Sequence, residues 1–158
     1  MLMKLTKSNL DRLGFTMAEF TVTLCIILIL TGVASIGFLS SIDLAKLENA
    51  ASRFTADLKL TRDQARRVQQ TCTLTVDKAN LTYQAAGVPG LYGPDDISVN
   101  LALSPYEMAS ITSSPADFVA VTFDPRGWPS AVGSFSLHRG GKNITIRIKR
   151  SGEIVQEN

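Results

Sequence analysis

Residues 14–24 read GFTMAEFTVTL, a glycine and a lone glutamate at the threshold of an apolar run. From Phe20 to Ile42, 23 consecutive residues carry no formal charge, where about 20 predominantly apolar residues suffice to cross a bilayer as a helix. Glu19 stands at the mouth of that span. A charged side chain at the bilayer centre costs about 2.5–3.5 kcal/mol on insertion scales, so an intramembrane carboxylate calls for a function and a partner.

Outward from this run, the composition fits one small domain carrying one anchor: 158 residues, 45% hydrophobic and 19% charged, with a net charge of +2. These values exclude a disordered or low-complexity chain. Charge is uneven, +1 over residues 1–42, +2 over 43–70, −4 over 71–135 and +3 over 136–158. No segment is basic enough to demand nucleic acid. The two cysteines, Cys25 and Cys72, stand 47 positions apart. At either end of one helix they lie beyond disulfide reach, so they say nothing of the redox compartment.

All six prolines fall between Pro89 and Pro129, leaving the first 88 residues free of the strongest helix breaker. Beyond Ile42 the apolar positions Leu44, Leu47, Ala51, Phe54, Leu58, Ala65 and Val68, with Thr61 filling one place, form one face of an amphipathic helix. Lys59 with Asp63, and Asp63 with Arg67, stand four apart as helical charge pairs do. One helix over 15–70 follows, apolar on all sides across 15–42 and on one side across 43–70. The period then changes. TCTLTVDKANLTYQA alternates and is rich in β-branched residues, a hairpin over 71–85 turning at DKAN. GVPGLYGPDD reads as a loop, ISVNLAL and FVAVTF as strands with a Ser/Pro connection between them, and FDPRG as a type I turn. GSFSLHRGGKNITIRIKRSGEIV closes the chain as two strands around RGGKN and a short third after RSG. The expected class is α+β: a long N-terminal transmembrane and amphipathic helix packed on a small antiparallel β-rich head at 71–158.

Two plain readings of the N-terminus compete with a sharper one. A cleaved secretory signal would use Lys4, Lys7 and Arg12 as its basic region and cut after Gly32 and Ala34. An ordinary signal anchor would leave Glu19 unexplained. The motif GFTMAE, after a short basic leader at 1–14, resembles the processing site of type IV prepilins and type II secretion pseudopilins. That resemblance implies that a prepilin peptidase cuts between Gly14 and Phe15 and methylates the new N-terminus at Phe15. By the same resemblance Glu19 would become the fifth mature residue and would pair with the N-terminal ammonium of a neighbouring subunit, which relieves two charges at once.

Further along, VTFDPRGWP, GSFSL, NITIRI and SGEI are similar to the GspH/FimT-like group of H-type minor pseudopilins and minor pilins. The resemblance implies a structural, non-enzymatic subunit of the type II secretion pseudopilus, with a minor pilin of a type IV pilus as the alternative. It implies a single-pass inner-membrane location, the N-terminus cytoplasmic and the head periplasmic. Its partners would be other pilin-like subunits, the prepilin peptidase and inner-membrane lipid. The chain departs from many major pilins in lacking a proline within the membrane helix and a C-terminal disulfide loop.

A basic set invites a nucleic-acid reading. Arg147 and Lys149 alternate with Ile144, Ile146 and Ile148, with Arg139, Lys142 and Arg150 nearby. Some FimT-like minor pilins bind DNA through an arginine-rich tail, but the corresponding stretch here is SGEIVQEN, with Glu153 opposing phosphate contact. These residues are read as a solvated strand face, and nucleic acid is not an expected partner. His138, the single histidine, lacks spaced partners for a metal site. Asp95 and Asp96 are read as a solvated turn rather than a calcium site. No cofactor, metal or catalytic residue is expected.

Overall fold

The computed structural model describes residues 16–90 and 96–157, the side chains of 33–39 excepted. The chain divides into two compact units, Met1–Phe38 and Leu39–Asn158. Helix α1 (Met17–Val68) contributes its first part to one and its second part to the other.

In the first unit α1 exposes apolar side chains on every side, including Met17 at 85%, Leu28 at 71% and Ile29 at 67%. Among the described residues, no helix is long and apolar enough to cross a membrane.

In the second unit α1 becomes amphipathic. Leu47, Ala50, Ala51, Phe54, Leu58, Thr61 and Ala65 are buried, at the three- and four-residue steps that keep one helical face inward. Two expectations need correction. Val68 does not extend this stripe: it is 42% exposed, because Gln69 turns left-handed (φ 56°) directly after it and ends the helix. Asp63 pairs with neither Lys59 nor Arg67 but with Arg62, at 3.0 Å. Arg62 is held in place there by its 3.1 Å bond to the Gly152 carbonyl.

The head folds into two four-stranded antiparallel sheets. One comprises β1 (Cys72–Asp77), β2 (Thr82–Pro89), β3 (Asp96–Asn100) and β5 (Ala120–Phe123), in the order β3-β2-β1-β5. The other comprises β4 (Ser110–Ser114), β6 (Gly133–Arg139), β7 (Lys142–Ile148) and β8 (Ile154–Glu157), in the order β4-β6-β7-β8. Sequence alternation anticipates the β1–β2 hairpin, whose turn is tied by Asp77 accepting hydrogen bonds from the Ala79 and Asn80 amides. It also anticipates β6 and β7, which pair Arg139 with Lys142 around Gly140 and Gly141 at φ 57° and 76°. Two consecutive positive φ values give the hairpin turn that matches strand twist. Strand β4 lies inside the stretch read as a connection. SITSS offers only Ile111 to the core, and the strand is recruited by pairing along β6 rather than by its own apolar content.

Phe54 joins the layers. Its ring meets Tyr83 of β2 edge-on at 4.9 Å and Phe135 of β6 at 5.4 Å, one contact on each sheet. Such aromatic pairs contribute about 0.5–1.5 kcal/mol each beyond area burial.

Candidate assembly surface

The described N-terminus of α1 carries a capping box, Thr16-Met17-Ala18-Glu19. The Glu19 carboxylate accepts from the Thr16 amide at 2.9 Å and the Thr16 hydroxyl at 3.1 Å, and the Glu19 amide donates back to the Thr16 hydroxyl at 3.2 Å. Glu19 therefore closes the first turn of its own helix. The T-x-x-E spacing was a legible signal for this second role. Gly14 and Phe15, the residues of the expected cut and methylation, lie outside the described residues, as does Asp95. Beyond Glu19 the side chains of Phe20, Val22, Leu24, Ile26, Ile27 and Leu28 are all exposed, which leaves this part of the helix apolar all round.

The five basic residues singled out in the sequence meet different fates. Arg139 is not a surface contact. Its Nε donates to Asp43 at 2.8 Å, one Nη to Glu107 Oε2 at 3.2 Å, and the other to the carbonyls of Tyr106 and Glu107. Lys46 completes this cluster with a 2.7 Å bond to Glu107, and its hydrogen bond and charge, ahead of Arg139, hold the Glu107 carboxyl below its usual range. Arg147 pairs with Glu157 and Lys149 with Glu153, both at 3.0 Å. Lys142 and Arg150 are exposed. The expected strand face is present, with Ile144, Ile146 and Ile148 buried on the other side of β7.

Sequence reasoning missed a buried polar triad. Asp57 is fully buried, and its Oδ2 accepts from Arg53 Nε at 2.8 Å and from the Tyr83 hydroxyl at 2.7 Å, while Oδ1 has no partner. Position 57 adjoins Leu58 on the buried face, so a helical projection exposes the anomaly of a carboxylate there. Elsewhere, His138 shares a 2.9 Å hydrogen bond with the Thr112 hydroxyl, and Asp96 accepts from the Gly87 amide at 2.9 Å. Among the described residues no group of His, Cys, Asp and Glu side chains could hold a metal ion. Cys25 is exposed and Cys72 buried, both as free thiols, and burial pushes the Cys72 thiol up.

A helix with an exposed apolar first part, packed by its second part on two antiparallel sheets, is a specific architecture. The model of the family described as type II transport protein GspH matches residues 50–152. The chain belongs to the GspH family. This GspH-family chain is also similar in fold to the Pseudomonas aeruginosa type IV minor pilin FimU in two crystal forms. In space group P21 the TM-score is 0.55 at 16% identity, covering 72% of this chain and 90% of that one. In space group P65 it is 0.54 at 16% identity, covering 71% and 93%. A search of curated proteins finds no match. The GspH-family match covers the second part of α1 and nearly the whole head, where the sequence resemblance rested on VTFDPRGWP, GSFSL and NITIRI.

Proposed function

We propose that this GspH-family chain is a minor pseudopilin, a structural subunit of the type II secretion pseudopilus. In this reading residues 1–14 are a leader removed by a prepilin peptidase, Phe15 becomes the methylated N-terminus, and residues 15–42 anchor the subunit in the inner membrane. The head faces the periplasm. The observation that carries the reading is the exposure of α1 on all sides ahead of an amphipathic continuation. Within a domain such a surface would be a defect, whereas in lipid or a helix bundle it is the binding element.

Glu19 has two roles in this scheme. In the lone chain its carboxylate caps the helix through Thr16; on assembly it also faces the Phe15 ammonium of a neighbour, so that leaving the bilayer alone for the bundle is favourable. Mass spectrometry of the membrane fraction tests the scheme by finding N-methyl-Phe15 at the mature N-terminus. A mature start at Ser35 would mean an ordinary secretory signal and end the proposal.

The fold likeness to FimU favours a second reading, a minor pilin of a type IV pilus. Deleting the gene separates them: loss of exoprotein secretion with pili intact supports the first, loss of pili with secretion intact the second. DNA uptake belongs only to the second.

A further inference from the structure

Two turns distant in sequence converge on the C-terminal end of α1. The turn after β5 brings Arg126, Gly127 and Trp128 against the helix, where Arg66 Nε donates to the Arg126 carbonyl at 2.8 Å. The turn between β7 and β8 brings Arg150 and Gly152, and Arg62 donates to the Gly152 carbonyl at 3.1 Å. The fit is close. A Cβ on Gly127 would lie 2.2 Å from Arg66 Nε, and one on Gly152 would lie 2.3 Å from the Gly127 carbonyl oxygen. Both glycines are left-handed, at φ 82° and 77°. The sequence thus commits two special backbone positions to gathering arginines at one end of the head.

These charges are not balanced within the chain. Asp63 pairs with Arg62 and Glu153 with Lys149. The Asp124 carboxylate is spent on the amides of Arg126 and Trp128, at 2.9 and 2.8 Å. Among the described residues, Arg66, Arg67, Arg126 and Arg150 have no ion pair, and all four are exposed. Beside them Trp128 is 55% exposed on a backbone fixed by the Asp124 amide donating to the Trp128 carbonyl at 2.9 Å. A displayed tryptophan on a turn that carries Arg126 and is bonded by Arg66 has the composition of an interface hot spot.

We propose that this end of the head is a docking surface for a second, different pilin-like subunit, whose face presents carboxylates around an apolar hollow that takes the Trp128 indole. This rests on the filament reading above. A protein face fits better than a phosphate chain. Asp63 and Glu153 stand within the patch with side chains 54% and 58% exposed, and they repel phosphate yet can pair with a mixed-charge surface. Single strands are held by successive aromatic platforms, whereas Trp128 stands here as one exposed indole. Nor does the patch complement itself, since a second copy meeting it through the same face would set arginine against arginine.

The test uses the full chain in its native membranes, with a benzoylphenylalanine photo-crosslinker at exposed Ser130 and, separately, at Val22 on the apolar helix. The proposal expects Ser130 adducts with another pilin-like subunit, mapped to a peptide bearing several carboxylates. Trp128→Ala should lower their yield by about 30-fold, the effect of a 2 kcal/mol hot spot. Arg126→Glu with Arg150→Glu should abolish them, and lysines in place of the mapped carboxylates should restore them to that variant. Neither arginine side chain has a bond within the head, so the charge reversal spares the fold. Val22 adducts without Ser130 adducts would overturn the docking surface alone. Absence of both, with no N-methyl-Phe15, would overturn the filament reading as well. Ser130 adducts to nucleic acid, to another copy of this chain, or insensitive to the charge reversal would also overturn the proposal.

Discussion

Tyr83 donates its phenolic hydrogen to Asp57 across 2.7 Å, joining β2 to the buried face of α1. The same carboxylate oxygen accepts from Arg53 one helical turn earlier, at 2.8 Å. A carboxylate with no exposed surface is tolerable only when its charge is met, and these two donors meet it. The bond also fixes rotation: with Phe54 packed on Tyr83 and Phe135, the helix has one register on the two sheets.

Removing Asp57 leaves Arg53 and the Tyr83 hydroxyl without their shared acceptor. Asp57→Ala is expected to destabilise the head by about 3–5 kcal/mol, the usual cost of breaking a buried pair from one side. Tyr83→Phe, which keeps the ion pair, should cost about 1–3 kcal/mol. Thermal unfolding of the detergent-solubilised chain, followed by near-UV circular dichroism, measures both. Equal losses would show that the pair with Arg53 adds nothing.

Burial pushes the Tyr83 phenol well above its ordinary value, assisted by the Asp57 charge and hydrogen bond and opposed by Arg53. For a group raised in the folded state, the stabilisation is full below the unfolded value of about 10 and drains away as pH climbs above it. The wild type should therefore lose stability above about pH 10 more steeply than Tyr83→Phe. A pH series of melting temperatures reads the difference, and parallel curves would refute it.

Glycine at 152 is required by both conformation and space. Gly152→Ala places a Cβ 2.3 Å from a backbone oxygen at φ 77°, whereas Gly141→Ala, at φ 76°, meets nothing within 4 Å. Left-handed strain of about 1–2 kcal/mol is common to both, so Gly152→Ala should lose a further 1–3 kcal/mol or so to overpacking. Urea midpoints of the two variants test this directly.

Arg139 is a clamp rather than a binding residue. Arg139→Lys should destabilise the head, because an ammonium cannot serve Asp43, Glu107 and two carbonyls from one planar fork. The Glu107 carboxyl, held low by Lys46 and then Arg139, supports the folded state above its ordinary value near 4.5. That support fades as the pH falls below it. Filter binding of duplex DNA by wild type and by Arg147→Glu with Lys149→Glu should show no salt-steep affinity to lose. A wild-type slope of about −0.9 per neutralised phosphate would contradict this.

Thr16 and Glu19 are separable. Thr16→Val should weaken the helix start by about 0.5–2 kcal/mol while leaving a carboxylate for assembly. Glu19→Ala should leave membrane insertion intact and reduce incorporation into filaments. Crosslinking yields between subunits distinguish the two, and normal assembly of Glu19→Ala would remove the pairing argument.

Much of this protein is written locally in its sequence. The 23 uncharged residues from Phe20 to Ile42, the three- and four-step stripe from Leu47 to Ala65, the DKAN turn and the Gly140-Gly141 hairpin are short-range patterns. Helical and strand periodicity and backbone sterics act within a few residues, which is why those elements follow from reading alone. Tertiary structure decided what depends on distant partners. It made a strand of SITSS by offering the β6 edge, turned Arg139 inward onto Asp43 96 residues away, and buried Asp57 against Tyr83. It also gathered Arg66, Arg126 and Arg150 at one end of the helix. A side chain's type shows what it can bond, but whether a partner stands within 3 Å is set only when the helix and both sheets close around Phe54.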